Sequence, residues 1–598
     1  MYSLCFFVIF CLFAYLLNRY KNQKLNRSKT TINLMFESIL QVMLSYTLVI
    51  VSLRLIKDIS ILHTVNSIWE NRLKFTTKFN TICFVYLVLF LVLSFIFKTE
   101  IKKTKDNKIK SDIFSLIFLF FLMVFLMLIL YIDAMFPMLD IDQVLFTLNM
   151  PLTGTSYIIM ATFIIMILII PFCFSIFNFL LQKANINFLY TIPRGKEKIF
   201  FPFRIKYKIM SSITFVIMVL VFFNFKLKLF SYILKELKGN TPFYEETYIS
   251  PKNVTFSFPE HKKNLIFIYL ESMEAEASYC AKEGENIIPE LTELAQNNLS
   301  FSHSDDIGGQ MQVIGTDHSI ASICCTHLGL PLLINIGGRF YKNSKYFFNG
   351  AYGLGNTLTG GGYNCLFIIG SETIYGGLDK LLQSHGFEVK DINYYKSINK
   401  VPKDYFVWWG IEDAKMVEFA KEELIKISSL EKPFAFSVFF EDTHFPSGYF
   451  DEECENKYPR QIHNVFRNMS KRVNNFVNWI KEQPFYKDTV IVILGDHLYM
   501  GSDLYDNARS DSKRHAYNAF INAGKSAEHS KNRNFCTFDY FPTILDCLDI
   551  KYNSDGLGLG RSLLTGKPTL LEELGKEKLE EAISSKSDFY RYSLLSKE

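Results

Sequence analysis

Residues 488–497 read DTVIVILGDH. A run of β-branched apolar residues is the composition of a strand buried on both faces, and this one ends in Asp496 and His497. Ligands gather beyond the carboxyl ends of parallel strands in open α/β sheets. An Asp-His pair at that place is a candidate metal or catalytic site, and a polar turn after a core strand is the competing reading. Three further runs end alike: NLIFIYLES in Glu271, YNCLFIIGSE in Glu372, and FAFSVFFEDTH in Asp442 and His444. Four apolar runs finishing in carboxylate or imidazole predict one shared polar edge. From about residue 260 such runs alternate with helical stretches, the pattern of an α/β domain.

A fifth stretch, GGQMQVIGTDHSIASICCTHLGLPLL, places Ser319 ahead of apolar residues at helical spacing: Ile320, Ile323, Cys324 and Leu328. Free N–H groups and the dipole at a helix N-terminus favour a phosphate or an ionised oxygen there. An N-cap serine is the alternative. Glu271, Ser319, Asp496 and His497 together offer three oxygens and one nitrogen. That set suits one divalent cation, the oxygen majority favouring Mn2+ or Mg2+ and the histidine leaving Zn2+ open. Such a cation would lower the hydroxyl pKa of Ser319 and make it a nucleophile. His444 is placed to protonate a leaving oxygen or to bind phosphate. No GxSxG elbow is present, which argues against an ordinary serine hydrolase.

The chain is 49% hydrophobic over 598 residues, and the excess lies before about residue 232. Segments such as CFFVIFCLFAYLL, CFVYLVLFLVLSFIF, IFSLIFLFFLMVFLMLILYI, YIIMATFIIMILIIPFCFSIFNFLL and IMSSITFVIMVLVFFNF approach or exceed the roughly 20 apolar residues that span a bilayer. A fainter one, TINLMFESILQVMLSYTLVIVSL, carries Glu37, which makes about six helices. The loops RYKNQKLNRSK, KTEIKKTKDNKIK and RGKEKIFFPFRIKYK are rich in Lys and Arg, whereas the loop around DAMFPMLDIDQ has none. Basic loops mark the cytoplasmic side, so the domain after residue 232 is expected outside. The net charge of +5 is therefore mainly a topology signal and argues against a nucleic-acid partner. Seven of the 11 cysteines lie in the outer part, where disulfides are open and no CxxC pattern exists. The expected organisation is a multi-pass helical membrane domain (1–231), a linker (232–260), an extracytoplasmic α/β domain (261–570) and a charged tail (571–598).

The segments YLES at Glu271, GTDHSIAS through GLPL, GGLDKLLQSHGF, WGIED from Trp409 to Asp413, DTHFPSGYF, GDHLYM and FPTILDCLDIKYNSDGLGLGRSLLTGK run in order over roughly residues 264–567. In these the chain resembles the metal-dependent alkaline-phosphatase and sulfatase superfamily. The likeness is to its membrane-anchored branch of lipoteichoic acid synthases and phosphoethanolamine or phosphoglycerol transferases. Among these it is most similar to the phosphoglycerol transferases of osmoregulated periplasmic glucans. The stretch DQVLFTLNMPLTGTS also resembles a loop of that group. The resemblance implies an alkaline-phosphatase/sulfatase-like fold, metal ligands at Glu271, Asp496 and His497, and Ser319 as nucleophile where the family mostly has threonine. It implies a substrate-binding role for His444 and places Trp409 and Asp413 near the headgroup. Arg514 and His515, in SKRHAYNAF, are spaced for a phosphate contact, against the alternative of a solvated charge run.

The implied reaction moves phosphoglycerol from phosphatidylglycerol, through a phosphoglyceryl-serine, to a glycan or glycerophosphate acceptor at the outer face of a bacterial inner membrane. A phosphoethanolamine transferase is the nearest rival. A sulfatase fits less well, because Ser319 is followed by Ile-Ala-Ser-Ile-Cys and lacks that class's Pro and Arg. A transporter would carry ionisable residues within its spans, and these spans hold almost none. A binding-only receptor of the same fold would be expected to lose ligands, and all four are present.

Overall fold

The structure is a computed structural model. It describes chiefly residues 98–103, 112–135, 157–191, 197–203, 207–227, 229–237, 239–280, 285–333, 347–501, 503–505, 514–524 and 529–595, with isolated positions elsewhere. The chain divides into two compact units, one of residues 1–137 and 157–223 and another of residues 138–156 and 224–598.

In the first unit, three described stretches are long and apolar enough to cross a membrane: Ile113–Ile132, Met160–Lys183 and Lys208–Leu227. They match the last three segments expected from sequence, and the earlier ones fall outside the described residues. Their flanks turn large apolar side chains outward, among them Phe121, Phe172, Ile209 and Val221, a surface that suits lipid. Strands β1 (Lys98–Lys103), β2 (Ile186–Thr191) and β3 (Glu197–Phe201) form one antiparallel sheet. Two loops expected on one side of the bilayer are thus hydrogen-bonded into the same sheet, with Lys98 opposite Thr191 and Thr191 opposite Glu197.

The second unit contains β4 (Phe256–Ser257), β5 (Asn264–Leu270), β6 (Gly309–Gln310), β7 (Asn364–Ile369), β8 (Glu388–Lys390), β9 (Phe434–Phe440), β10 (Thr489–Gly495), β11 (Ala516–Ile521) and β12 (Lys551–Tyr552). Its main sheet has the order β6-β11-β10-β5-β9-β7-β8. From β10 to β8 the pairs are parallel, and β11 and β6 close the other edge antiparallel. The runs ending in Glu271, Asp442 and Asp496 are adjacent central strands, fully buried along β9 and β10, as residues covered by helices on both faces must be. Their carboxyl ends share one edge, and Glu372 follows β7 on the far side of β9.

Two boundaries differ from the sequence expectation. The stretch expected as a linker is folded into the domain: β4 pairs with β12, Ile249 bridges Gly558, and Tyr244 is buried against Tyr590. The charged tail is likewise structural, with helices Leu570–Leu574 and Lys576–Ile583 and buried Leu579, Ile583, Tyr590, Leu594 and Leu595. Its charges mark only the solvent face of amphipathic helices. All seven cysteines after residue 232 are buried, and Cys324, Cys325, Cys365, Cys454 and Cys536 are free thiols.

One buried group works against this core. His327, near the end of helix Ser319–Leu328, lies among Phe267, Tyr269 and Phe387, and neither ring nitrogen has a partner among the described residues. Burial, helped by His385, pulls its pKa down to about 3. Its unfolded value is about 6.5, so the unfolded chain binds the proton better, and stability held above that pH is lost as pH falls towards the folded value. We expect His327→Phe to gain stability over the parent by about 1.4 kcal/mol more for each pH unit below 6.5. Urea midpoints at pH 7 and pH 5 measure this, and an unchanged gap would contradict it.

Candidate active site

β5 and β10 run parallel with Leu270 opposite Gly495, so the next residues, Glu271 and Asp496, emerge side by side. Gly495 allows this closeness, since a Cβ there would fall 1.9 Å from the Met273 carbonyl oxygen. Asp496 Oδ1 accepts the N–H groups of Ser272 and His497, each at 2.7 Å. Its other oxygen, Oδ2, is buried with no hydrogen-bond partner among the described residues. His497 Nδ1–H donates to the Leu498 carbonyl at 2.8 Å, which turns Nε2 inward. Nε2 then lies 3.2 Å from Glu271 Oε1 and 3.4 Å from Asp496 Oδ2.

Ser319 completes the group. It is the first residue of its helix, after an extended His318. Its Oγ does not cap the helix: it donates to Glu271 Oε2 at 2.8 Å and lies 3.4 Å from His497 Nε2. The N-cap alternative therefore fails, and the four residues expected to converge from distant parts of the chain do converge.

The electrostatics follow from this crowding. Burial raises the Asp496 carboxyl well above its ordinary range, and the Glu271 charge adds to the rise. Burial works the same way on Glu271, but His444 and His497 outweigh it and hold that carboxyl low. Burial opposes charge on His497 too, yet Asp496 and Glu271 push its pKa up to about 10. Two carboxylates and an imidazole, all buried and converging within 4.8 Å, form a donor set for a cation. Asp496 Oδ2, free of hydrogen bonds among the described residues, and the mixed oxygen and nitrogen donors fit a divalent metal ion.

His444 follows β9. Its Nδ1–H donates to the Phe445 carbonyl at 2.6 Å, leaving Nε2 for other work, and its ring lies 4.4 Å from that of Trp409. Trp409 sits in a tight turn closed by pairing of Val407 with Gly410, and its indole Nε1 is buried without a partner among the described residues. Asp413, expected near the headgroup, is placed otherwise. Its two oxygens accept the N–H groups of Glu441 and Asp442 at 2.8 Å each. It is a brace behind the end of β9, because both oxygens are spent on backbone.

Arg514 and His515 are buried, which removes the solvated-run alternative. Arg514 Nε donates to Glu274 Oε2 at 3.0 Å and its Nη2 pairs with the Glu274 Oε1 at 2.5 Å. With its guanidinium held by Glu274, Arg514 is an internal ion pair in this structure. His515 Nδ1 bonds Glu276 Oε1 at 2.8 Å. Sequence reading also missed Arg472, which reaches Asp442 at 3.0 Å and pairs with Asp451. It lies on an amphipathic helix whose charges look solvent-facing, and nothing local in the sequence singles it out.

Residues 263–550, which form the α/β domain, match the family model described as Sulfatase. Over 370 residues, 60% of the chain, the sequence is 29% identical to Phosphoglycerol transferase I of Salmonella typhimurium and of Salmonella typhi. The chain spans about half the length of these curated relatives, 46%. Among solved structures, it is similar to the lipoteichoic acid synthase LtaP of Listeria monocytogenes, with 17% identity, 52% of this chain and 79% of that one covered, and a TM-score of 0.42.

Proposed function

We propose that this chain is a membrane-anchored phosphoglycerol transferase that takes the group from phosphatidylglycerol and passes it to a hydroxyl of a glycan or glycerophosphate acceptor outside the cytoplasmic membrane. The observation that carries the reading is the Ser319 hydroxyl, held between Glu271 and His497 at the head of a helix. The superfamily domain and the name of the Salmonella relatives support it. The two basic loops paired in one sheet support a common cytoplasmic side for both.

Glu271, Asp496, His497 and the Ser319 hydroxyl would hold a divalent ion, with Mn2+ or Mg2+ favoured and Zn2+ open, which would supply charge stabilisation at the phosphoryl oxygens and lower the hydroxyl pKa. Ser319 Oγ attacks phosphorus and the bond from phosphorus to the diacylglycerol oxygen breaks. His444 Nε2 gives that oxygen its proton. The intermediate is a phosphoglyceryl ester of Ser319. An acceptor hydroxyl then attacks phosphorus and yields its proton to His444, and the Ser319 oxygen leaves and regains from solvent the proton it gave up to solvent before its attack. The free N–H groups at the start of helix Ser319–Leu328 favour the anionic phosphoryl group. Trp409, packed on His444, offers an indole N–H to the glycerol headgroup. Anchoring in the bilayer keeps the site beside a donor that does not leave it.

The test is mass spectrometry of detergent-purified protein incubated with Mn2+ and a mixture of phosphatidylglycerol and phosphatidylethanolamine. The expected result is diacylglycerol together with a phosphoglyceryl adduct on the Ser319 peptide. A phosphoethanolamine adduct would change the donor, and neither product with any divalent ion would overturn the reading.

A further inference from the structure

Helix Leu229–Leu237 begins two residues after the membrane-length helix Lys208–Leu227 ends. The junction is shaped by Asn224, whose side-chain oxygen accepts the Phe230 N–H at 2.9 Å and so satisfies one of the donors that a helix start leaves unpaired. The short helix has two faces. Phe230, Ile233, Leu234 and Leu237 recur at the i, i+3, i+4, i+7 spacing of a single helical stripe. All four are exposed, Phe230 at 61% and Leu237 at 77%.

The other face is tied to the α/β domain. Glu236 pairs with Arg591, and Lys235 Nζ donates to Ser584 Oγ. Just past the helix, the Thr241 N–H donates to the Lys586 carbonyl at 2.9 Å, and Asn240 Oδ1 accepts the Asp588 N–H at 2.7 Å. The segment that makes these bonds is rooted by Ile583 and Tyr590, both buried in the domain core. Polar groups thus hold the helix from behind and turn its four large apolar side chains away from the core. A contiguous apolar stripe left in this way marks an interaction surface.

Chain continuity decides what covers it. Helix Lys208–Leu227 has 20 residues, a length of about 30 Å that equals the hydrocarbon thickness of a bilayer. Its end at Leu227 therefore stands at the boundary between lipid and water. A helix that starts there with an apolar stripe and a polar back fits the headgroup and upper acyl region. Tyr592, next to the Arg591 that grips the helix, is 67% exposed, and tyrosine is enriched at that same boundary.

We propose that helix Leu229–Leu237 lies in the lipid–water interface of the leaflet where Lys208–Leu227 ends, and that the segment from Ser584 to Arg591 clasps it from behind, seating the α/β domain on the lipid surface. The charged C-terminal segment then acts as a clasp between domain and interfacial helix. For the reaction proposed above, seating would hold the site near the level at which a donor lipid presents its phosphate. That consequence rests on the proposed reaction, whereas the contact with lipid does not.

The test is photo-cross-linking of the full chain reconstituted into phosphatidylglycerol vesicles. The photoreactive residue p-benzoylphenylalanine replaces Leu234, Leu237 or, as a control, Leu430, an exposed leucine elsewhere on the domain. Irradiation should give phospholipid adducts at positions 234 and 237 and none at 430, read as mass shifts of the peptides. Adducts of 234 and 237 to protein, within the chain or to a second copy, would overturn the proposal, as would no adduct. As a second readout, Phe230→Asp/Leu237→Asp should slow release of diacylglycerol from vesicle phosphatidylglycerol by about tenfold, the scale of moving one leucine from lipid to water. Turnover of a short-chain, monomeric phosphatidylglycerol should be unchanged. Equal rates from vesicles for parent and variant would overturn the seating role. The cross-link is read without turnover, so its outcome is independent of which reaction the site performs.

Discussion

Ser319→Ala should lower release of diacylglycerol from phosphatidylglycerol by at least about a thousandfold, the scale of losing a nucleophile, while leaving most divalent-metal binding in place. Only one atom is removed. Alanine is the best helix former, so the first turn of Ser319–Leu328 persists, and the interlocking of Glu271, Asp496 and His497 does not depend on the hydroxyl. Metal binding measured beside turnover separates the two roles of this oxygen. Turnover within tenfold of the parent would refute the covalent scheme and leave direct transfer to the acceptor. Loss of metal together with activity would instead make Ser319 chiefly a ligand.

Arg472→Met should cost about 3–5 kcal/mol, the price of stranding a buried charge, or about 10 °C in melting temperature for a domain of this size. Arg472 is 7% exposed and joins Asp442, Asp451 and Glu453. Asp442 is bound in turn to the N–H of Asp413 at 3.2 Å, and two residues later the chain reaches His444. Loss of the guanidinium leaves two buried carboxylates without their cation and loosens the segment that carries the His444 imidazole. Adding Asp442→Asn removes one of those charges and should recover part of the loss. Thermal melts of parent, single and double variants read this directly, and an unchanged melting temperature for the single variant would show that the network contributes no net stability.

The four central strands and the polar edge were legible because burial on both faces forces a continuous apolar run, and a carboxylate that interrupts it stands out. Ser319 was legible by its place ahead of a helical pattern. Arg514 and His515 were legible as residues but not by their setting, since whether a charge is buried depends on its partner. Those partners, Glu274 and Glu276, lie about 240 residues away in sequence. Asp413 was placed near the headgroup by the resemblance of its segment alone, and that likeness does not tell a carboxylate that faces a ligand from one that ties down backbone. The supposed linker and tail failed on composition. A short strand such as β4, or a helix with one buried stripe, carries too few apolar residues to announce that it is packed.

The thiols of Cys324, Cys325 and Cys536 are fully enclosed, and burial pushes their pKa far above the ordinary range. A protonated, enclosed thiol is a poor target for oxidants and alkylating agents. These three thiols are therefore indifferent to the redox state of their surroundings while the fold is closed. Each becomes reactive only when the molecule opens, so the rate at which a maleimide captures them is a clock for the opening of the interior itself.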